Sequence, residues 1–217
     1  MSERAPTICV VDDDAAARSS LRLLLKSLGL NAVAYDKAAA FLAGYDPAQP
    51  GCLLLDIRMP GMSGLELQQE LNRRGTISPV IFITGHGDVA MAVEAMQHGA
   101  FDFLQKPFRE QELLNRVQKA LDRDRAVRDQ LRGHEAMQLR LETLTPRERE
   151  VLEAVAKGGS NKVIAHELGI SQRTVEIHRG RVMQKMNAES LAQLVHMATA
   201  LGITHLAPKD AGAPRRP

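Results

Sequence analysis

The stretch CLLLDIRMPGMSG, residues 52–64, decides how this chain is read. Leu53, Leu54 and Leu55 form an apolar run bounded by the turn pair Pro60-Gly61, which predicts a short buried strand. That strand ends on an acid, Asp56. A carboxylate at the end of an apolar run costs desolvation energy unless it is paired or near solvent. Asp56 is therefore either an accident of the strand boundary or the purpose of the strand.

Working outward, the same pattern recurs. TICVVDD (7–13) is an apolar run ending in Asp12 and Asp13, NAVAYD (31–36) is a weaker strand, SPVIFITG (78–85) reaches Thr84, and AFDFLQKPF (100–108) carries Lys106. Helical patterns alternate with these runs. Leu21, Leu24, Leu25 and Leu28 stand at i, i+3, i+4 and i+7 and are closed by Gly29. KAAAFLAGY (37–45), GLELQQELNRR (64–74) and VAMAVEAMQHG (89–99) follow in the same way. Regular β–α alternation implies right-handed crossovers and a parallel sheet with helices on both faces, and strands this apolar are expected when both faces are covered.

In such a sheet Asp12, Asp13, Asp56, Thr84 and Lys106 all fall at or just beyond the carboxyl ends of strands, where open α/β sheets place their ligands. An acid at one strand end is an ordinary turn residue. Three converging carboxylates repel one another, and a hard cation with oxygen ligands, Mg²⁺, resolves the repulsion.

Residues 108–144 hold one glycine and no proline. Leu113, Val117, Ala120, Val127 and Leu131 recur at spacings of about three and four, with Asp124 interrupting. One amphipathic helix that packs on the sheet and runs out as a linker fits this pattern; a coiled-coil contact is the sharper alternative. The last third is helical throughout. TPREREVLEAVAKG (145–158) has Thr145 as N-cap and Pro146 at the first helical position. NKVIAHELG (161–169), SQRTVEIHRGRVMQKM (171–186, Ser171 as N-cap) and ESLAQLVHMATALG (189–202) follow, and the middle two have helix-turn-helix spacing. In the third helix Val175, His178, Val182 and Met186 share a core face, with His178 read as a packed histidine. Arg173, Glu176, Ile177 and Gly180 share the opposite face, and Gly180 permits close approach to a groove at about 1 kcal/mol of helix propensity. Thr174, Arg181 and Lys185 flank that face within reach of phosphates, and Lys162 and Arg179 complete the candidate DNA-contacting set.

Charge divides the chain in the same places. Residues 1–107 carry 9 basic and 12 acidic side chains, residues 108–144 carry 8 and 7, and residues 145–217 carry 11 and 7. An acidic front and a basic back suggest modules with different partners. No apolar run approaches a membrane span, and MSERAPT lacks the basic-then-apolar pattern of a signal peptide, so a cytoplasmic protein without a membrane partner is expected. Cys9 and Cys52 form no CxxC pair and read as buried reduced thiols. The tail APKDAGAPRRP (207–217) has the composition of a disordered segment.

VVDDD, LLLDIRMPGMSG, FITGHGD and FDFLQKPF resemble the receiver domain of bacterial two-component response regulators. LTPREREVL, NKVIAHELGIS and RTVEIHRGRVMQKM resemble the four-helix, LuxR-type DNA-binding domain, and the order of the two is that of the FixJ/NarL class. The resemblance implies a receiver over 1–125 with sheet order 2-1-3-4-5, a helical linker over 126–142, a LuxR-type domain over 143–203 and a disordered tail over 204–217. It implies that Asp56 accepts a phosphoryl group from a histidine kinase. Asp13 would ligate Mg²⁺, Asp12 would act mainly through water, and the Arg58 carbonyl would be a further ligand. Thr84 would bond a phosphoryl oxygen, Lys106 would pair with the phosphate, Phe103 would be the aromatic switch, and Lys106–Pro107 would be cis. The fourth helix of the back domain would serve dimerisation. The expected function is a response regulator that dimerises on phosphorylation and binds double-stranded DNA. Its own phosphoryl transfer and autodephosphorylation are the only catalysis expected. A receiver that serves only as a docking module is the alternative. A haloacid-dehalogenase-like phosphatase would need a second acid two residues after Asp56, where this chain has Arg58.

Overall fold

The computed structural model describes residues 4–85 and 89–203. The expected disordered tail, 204–217, lies outside the described residues. Contacts divide the chain into two units, after Asp129. In the first, five strands alternate with helices: β1 (Thr7–Val11), α1 (Ala15–Ser27), β2 (Asn31–Tyr35), α2 (Ala38–Gly44), β3 (Gly51–Asp56), α3 (Gly64–Arg73), β4 (Val80–Thr84), α4 (Val89–Gln97) and β5 (Asp102–Gln105). All pairings are parallel, and the order is β2-β1-β3-β4-β5, as expected.

Alternation sorts the strand side chains between two cores. Ile8, Val10, Leu54, Ile81 and Ile83 pack with Leu21 and Leu25 of α1 and with Leu113, Val117 and Ala120. Val11, Leu53, Leu55 and Phe82 pack on the other face with Phe41, Leu67, Leu71 and Ala95. Both faces being buried explains why the strands read as continuous apolar runs. Local signals place the helix starts. The Asp14 side chain caps α1, and Ser63 with Glu66 forms a capping box that opens α3 directly after the β3 turn. Gly64 is held tightly there, since a Cβ would lie 2.2 Å from the Asp56 carbonyl oxygen.

The helix α5 runs from Glu110 to Glu142, so the segment expected as a linker is its continuation. Leu113, Val117 and Ala120 are buried on the sheet, whereas Leu131 is exposed. The second unit adds α6 (Pro146–Ala156), α7 (Asn161–Leu168), α8 (Gln172–Met186) and α9 (Leu191–Ala200). Thr145, Ser160, Ser171 and Ser190 each cap the helix that follows them. Val151, Leu152, Ile164, Val175, Val182, Met186 and Leu194 form its core. Among the described residues, no helix is long and apolar enough to cross a membrane.

Candidate functional site

The first site lies at the carboxyl ends of β1, β3 and β4. Asp12 follows β1 and is 2% exposed. It survives there because its polar atoms are engaged. One carboxylate oxygen accepts from the Asp14 backbone N–H at 2.8 Å, the other accepts from Lys106 Nζ at 2.9 Å, and its carbonyl accepts from Arg18 at 2.6 Å. Asp56 ends β3. Its carboxylate accepts from Lys106 Nζ at 3.2 Å and from the Arg58 backbone N–H at 2.9 Å. One ammonium thus bridges two carboxylates carried by adjacent strands. Burial pushes the Asp56 carboxyl above its ordinary range, against the opposing pull of Lys106. Burial alone would lower the Lys106 ammonium, but the hydrogen bond and charge of Asp12, with Asp56, hold it above its ordinary range.

Thr84 ends β4, is 3% exposed, and its carbonyl accepts the Lys106 backbone N–H at 2.7 Å. Ile83 pairs with Asp56, which sets Thr84 one position beyond the acid along the neighbouring strand. The Lys106–Pro107 bond is cis. Asp13 is exposed at the site, and Arg58 is exposed beside Asp56. Phe103, on β5, is 37% exposed. Its backbone is fixed by the Asp102 side chain and by Arg116, which donates to the Phe103 carbonyl at 3.0 Å. The oxygen donors of Asp12, Asp13, Asp56 and the Arg58 carbonyl are of the hard type that Mg²⁺ takes. Among the described residues, no three His, Cys, Asp or Glu side chains stand together in metal-holding geometry.

The second candidate site is α8. Val175, Val182 and Met186 are buried, and His178 is half-buried on the same face, its Nδ1 having no hydrogen-bond partner among the described residues. The opposite face is open: Arg173, Glu176, Gly180 and Arg181 are exposed, Ile177 is 49% exposed, and Thr174 is half-exposed. Lys162 is exposed in the first turn of α7. Arg179 is held back toward α7, donating to Asn161 Oδ1 at 2.6 Å, and Asn161 also donates to Glu176 at 3.5 Å. Asn161 thereby orients two members of the set, a role with no signal in its own sequence neighbourhood.

Lys185 has a different partner from the phosphate anticipated for it. Its ammonium donates to Glu148 at 2.7 Å and to the Thr143 carbonyl at 3.0 Å. Glu148 is also the capping-box acid of α6. The Lys185 hydrogen bond and the Thr145 N–H lower its carboxyl to about 2. A depressed folded value contributes stability above the ordinary carboxylate range and loses it as pH falls toward 2. Glu148→Gln is therefore expected to lower the stability of the second unit by about 2 kcal/mol at neutral pH. Urea titration should show the difference shrinking below about pH 4. An unchanged midpoint at neutral pH would remove Glu148 from this role.

Reasoning from sequence also missed Asp124. It is 2% exposed, accepts the Gly51 N–H at 2.9 Å, and takes both oxygens to Arg128 Nε at 2.9 and 3.0 Å. Arg128 donates onward to the carbonyls of Pro47 and Gln49 at 3.1 and 3.0 Å. This cluster lies at the amino-terminal ends of the strands, away from Asp56.

Comparison with known proteins agrees with both halves. Residues 8–118 match the response regulator receiver domain family, and residues 142–198 match the luxR family of bacterial regulatory proteins. The chain is 48% identical to the transcriptional regulatory protein FixJ of Azorhizobium caulinodans, covering 99% of this chain and 100% of that one. It is 49% identical to nodulation protein W of Bradyrhizobium diazoefficiens, covering 91% of this chain and 87% of the relative. Among solved structures, response regulator StyR superposes with a TM-score of 0.82 at 46% identity, over 90% of this chain and 98% of that one. Full-length FixJ from B. japonicum gives 0.57 at 41% identity, over 93% and 99%. The chain belongs to the bacterial response regulators that join a receiver domain to a LuxR-type DNA-binding domain.

Proposed function

We propose that Asp56 accepts a phosphoryl group from a partner histidine kinase, and that this modification governs dimerisation and DNA binding by the LuxR-type domain. The observation that carries the reading is the Lys106 ammonium set between Asp12 and Asp56 at the mouth of the sheet. An Asp56 oxygen attacks phosphorus, the bond to the donor's leaving group breaks, and an acyl phosphate forms. Lys106 offsets charge on the transferring oxygens, and the Thr84 hydroxyl supplies a hydrogen bond to one of them. Mg²⁺, held by Asp13, Asp56 and the Arg58 carbonyl with Asp12 acting through water, would supply further neutralisation. Attack needs the carboxylate, so the raised Asp56 carboxyl makes the rate fall on acidification at a higher pH than for an ordinary acid.

Movement of Thr84 toward the new phosphoryl oxygen would free space for the Phe103 ring to turn inward from the surface. A local charge event then biases one of two packings of the β4–β5 surface. Receivers pair, and two α8 helices meet half-sites about one turn of DNA apart. Arg173, Thr174, Glu176, Ile177 and Gly180 face the groove, with Lys162, Arg179 and Arg181 nearest the backbone. Glu176 is best placed on a cytosine amino group, since a carboxylate in the groove otherwise meets phosphate repulsion.

Affinity for genomic DNA fragments with and without acetyl phosphate and Mg²⁺ tests the switch. A rise with donor is expected; equal affinity would favour the receiver as a docking module. Salt titrations test the DNA face. Arg181→Ala is expected to weaken binding across sequences and lower the salt slope by about one, because a phosphate contact is lost. Lys185→Ala is expected to keep the slope, because its ammonium is already engaged by Glu148. A lowered slope for Lys185→Ala, with Arg181→Ala unchanged, would reverse this assignment.

A further inference from the structure

One side chain of α8 is out of keeping with its place. Ile177 is apolar and 49% exposed, while the other large apolar side chains of the helix, Val175, Val182, Met183 and Met186, pack into the core. Helix propensity does not ask for an isoleucine there, because a β-branched residue loses χ1 freedom against the preceding turn. What that stiffness supplies is an apolar surface already held in one rotamer, with little entropy left to lose on contact.

The ground beside Ile177 is open. Gly180 lies three positions on, and a Cβ there would meet nothing beyond the helix's own backbone within 4 Å, so packing inside the chain does not require the glycine. A side chain at 180 would lean toward the helix amino terminus, over the turn that carries Ile177. Its absence lowers helix propensity and leaves Ile177 uncovered.

The charges nearby narrow the partner. Arg173 and Arg181 stand exposed on α8 to either side of Ile177, and Lys162 is exposed in the first turn of α7. The one acid of α8, Glu176, accepts from Asn161 at 3.5 Å. Exposed cations around an apolar residue suit a polyanion rather than an apolar protein face. In the major groove the base edges present hydrogen-bond donors and acceptors and a single methyl group, the C5 methyl of thymine.

We propose that Ile177 is a specificity-determining residue that packs on a thymine C5 methyl beside the gap left by Gly180, so that each half-site carries a thymine chosen by its methyl group. This contact requires α8 to be the groove-facing helix, as in the function proposed above.

The test uses the full chain, with acetyl phosphate and Mg²⁺ present, and a fragment selected by its binding from a random-sequence DNA library. The fragment is amplified with dTTP or with dUTP, since deoxyuridine keeps the base pairing and lacks only the methyl. Wild type should bind the deoxyuridine fragment about sixteenfold more weakly, about fourfold for each of two half-sites, the worth of one buried methyl. Replacing thymines singly should place the loss at one position in each half-site. Raising salt should weaken both fragments and leave the ratio unchanged, because the methyl carries no charge. Ile177→Ala removes nothing from the core and favours the helix, so the variant folds. It should bind the thymine fragment about as weakly as wild type binds the deoxyuridine one, with the ratio reduced to about one. Equal affinity of wild type for the two fragments, or an undiminished ratio in Ile177→Ala, would overturn the thymine contact and leave α8 as the groove-facing helix. Recovery of no fragment at all would overturn the placement of α8 in the groove, and the thymine contact with it.

Discussion

Asp124→Ala is expected to destabilise the first unit by about 4 kcal/mol, read as a lowered urea midpoint. The size follows from what the carboxylate does. It is 2% exposed and satisfies both the Gly51 N–H and the Arg128 guanidinium, which is itself largely buried at 11% side-chain exposure. Removing it leaves a buried N–H without its acceptor and a largely buried cation without its counter-charge, and each is costly. Gly51 sits at φ 151°, and a Cβ there would lie 1.8 Å from the Thr7 carbonyl oxygen, so the backbone is closely hemmed in at this point. Asp124→Asn, which still accepts from the Gly51 N–H, should lose only about half as much. Asp124→Leu combined with Arg128→Met should lie closer to wild type than Asp124→Ala alone, since the buried cation goes with its partner. A change under about 1 kcal/mol for Asp124→Ala would show that the cluster is not a structural anchor.

Asp56→Asn is expected to lose the whole phosphodonor-dependent gain in DNA affinity while keeping its fold. Burial raises the Asp56 carboxyl, so its ionised form opposes folding at neutral pH, and replacing it removes that cost. Lys106 keeps its 2.9 Å bond to Asp12, and the Arg58 N–H keeps an amide oxygen to donate to. The variant should therefore be as stable as wild type or more so, by up to about 1 kcal/mol. The gain lost should be large: a nearly complete switch needs about 5 kcal/mol of difference between states. A full response to acetyl phosphate in Asp56→Asn, measured by fluorescence anisotropy on a bound genomic fragment, would place the modified residue elsewhere.

The features legible in the sequence were those set by local chemistry. Continuous apolar runs marked the strands, and caps such as Thr145 and Ser171 marked the helix starts, because both depend on residues a few positions apart. Asp12, Asp56, Thr84 and Lys106 stood out because each ends or follows a strand, and a parallel sheet brings such ends together whatever the loops do. The residues whose partners were not legible were those whose partners lie far away in the chain. Asp124 looked like a flaw in a helical seam, because the Gly51 N–H it serves lies 73 positions away. Lys185 looked like a phosphate contact, because the Glu148 carboxylate it meets is 37 positions away, on α6. Cys9 sits in a run that reads as fully buried, yet Val33 and Tyr35 on the neighbouring edge strand leave a cleft beside it.

These long-range pairs also bear on the division of labour within the chain. The carboxyl ends of the strands hold the charged cluster of Asp12, Asp56 and Lys106, while Asp124 and Arg128 fasten α5 at the amino-terminal ends. On the proposed function, chemistry at one end and anchoring at the other would let Asp56 change its charge without loosening the helix that leads on to residue 142.

The most direct measurement is the mass of the intact chain after incubation with acetyl phosphate and Mg²⁺, followed by peptide mapping. Wild type should gain one phosphoryl group on Asp56, labile to hydroxylamine as an acyl phosphate is, and Asp56→Asn should gain none. No mass gain on wild type, or an equal gain on Asp56→Asn, would contradict the assignment of Asp56 as the phosphoacceptor.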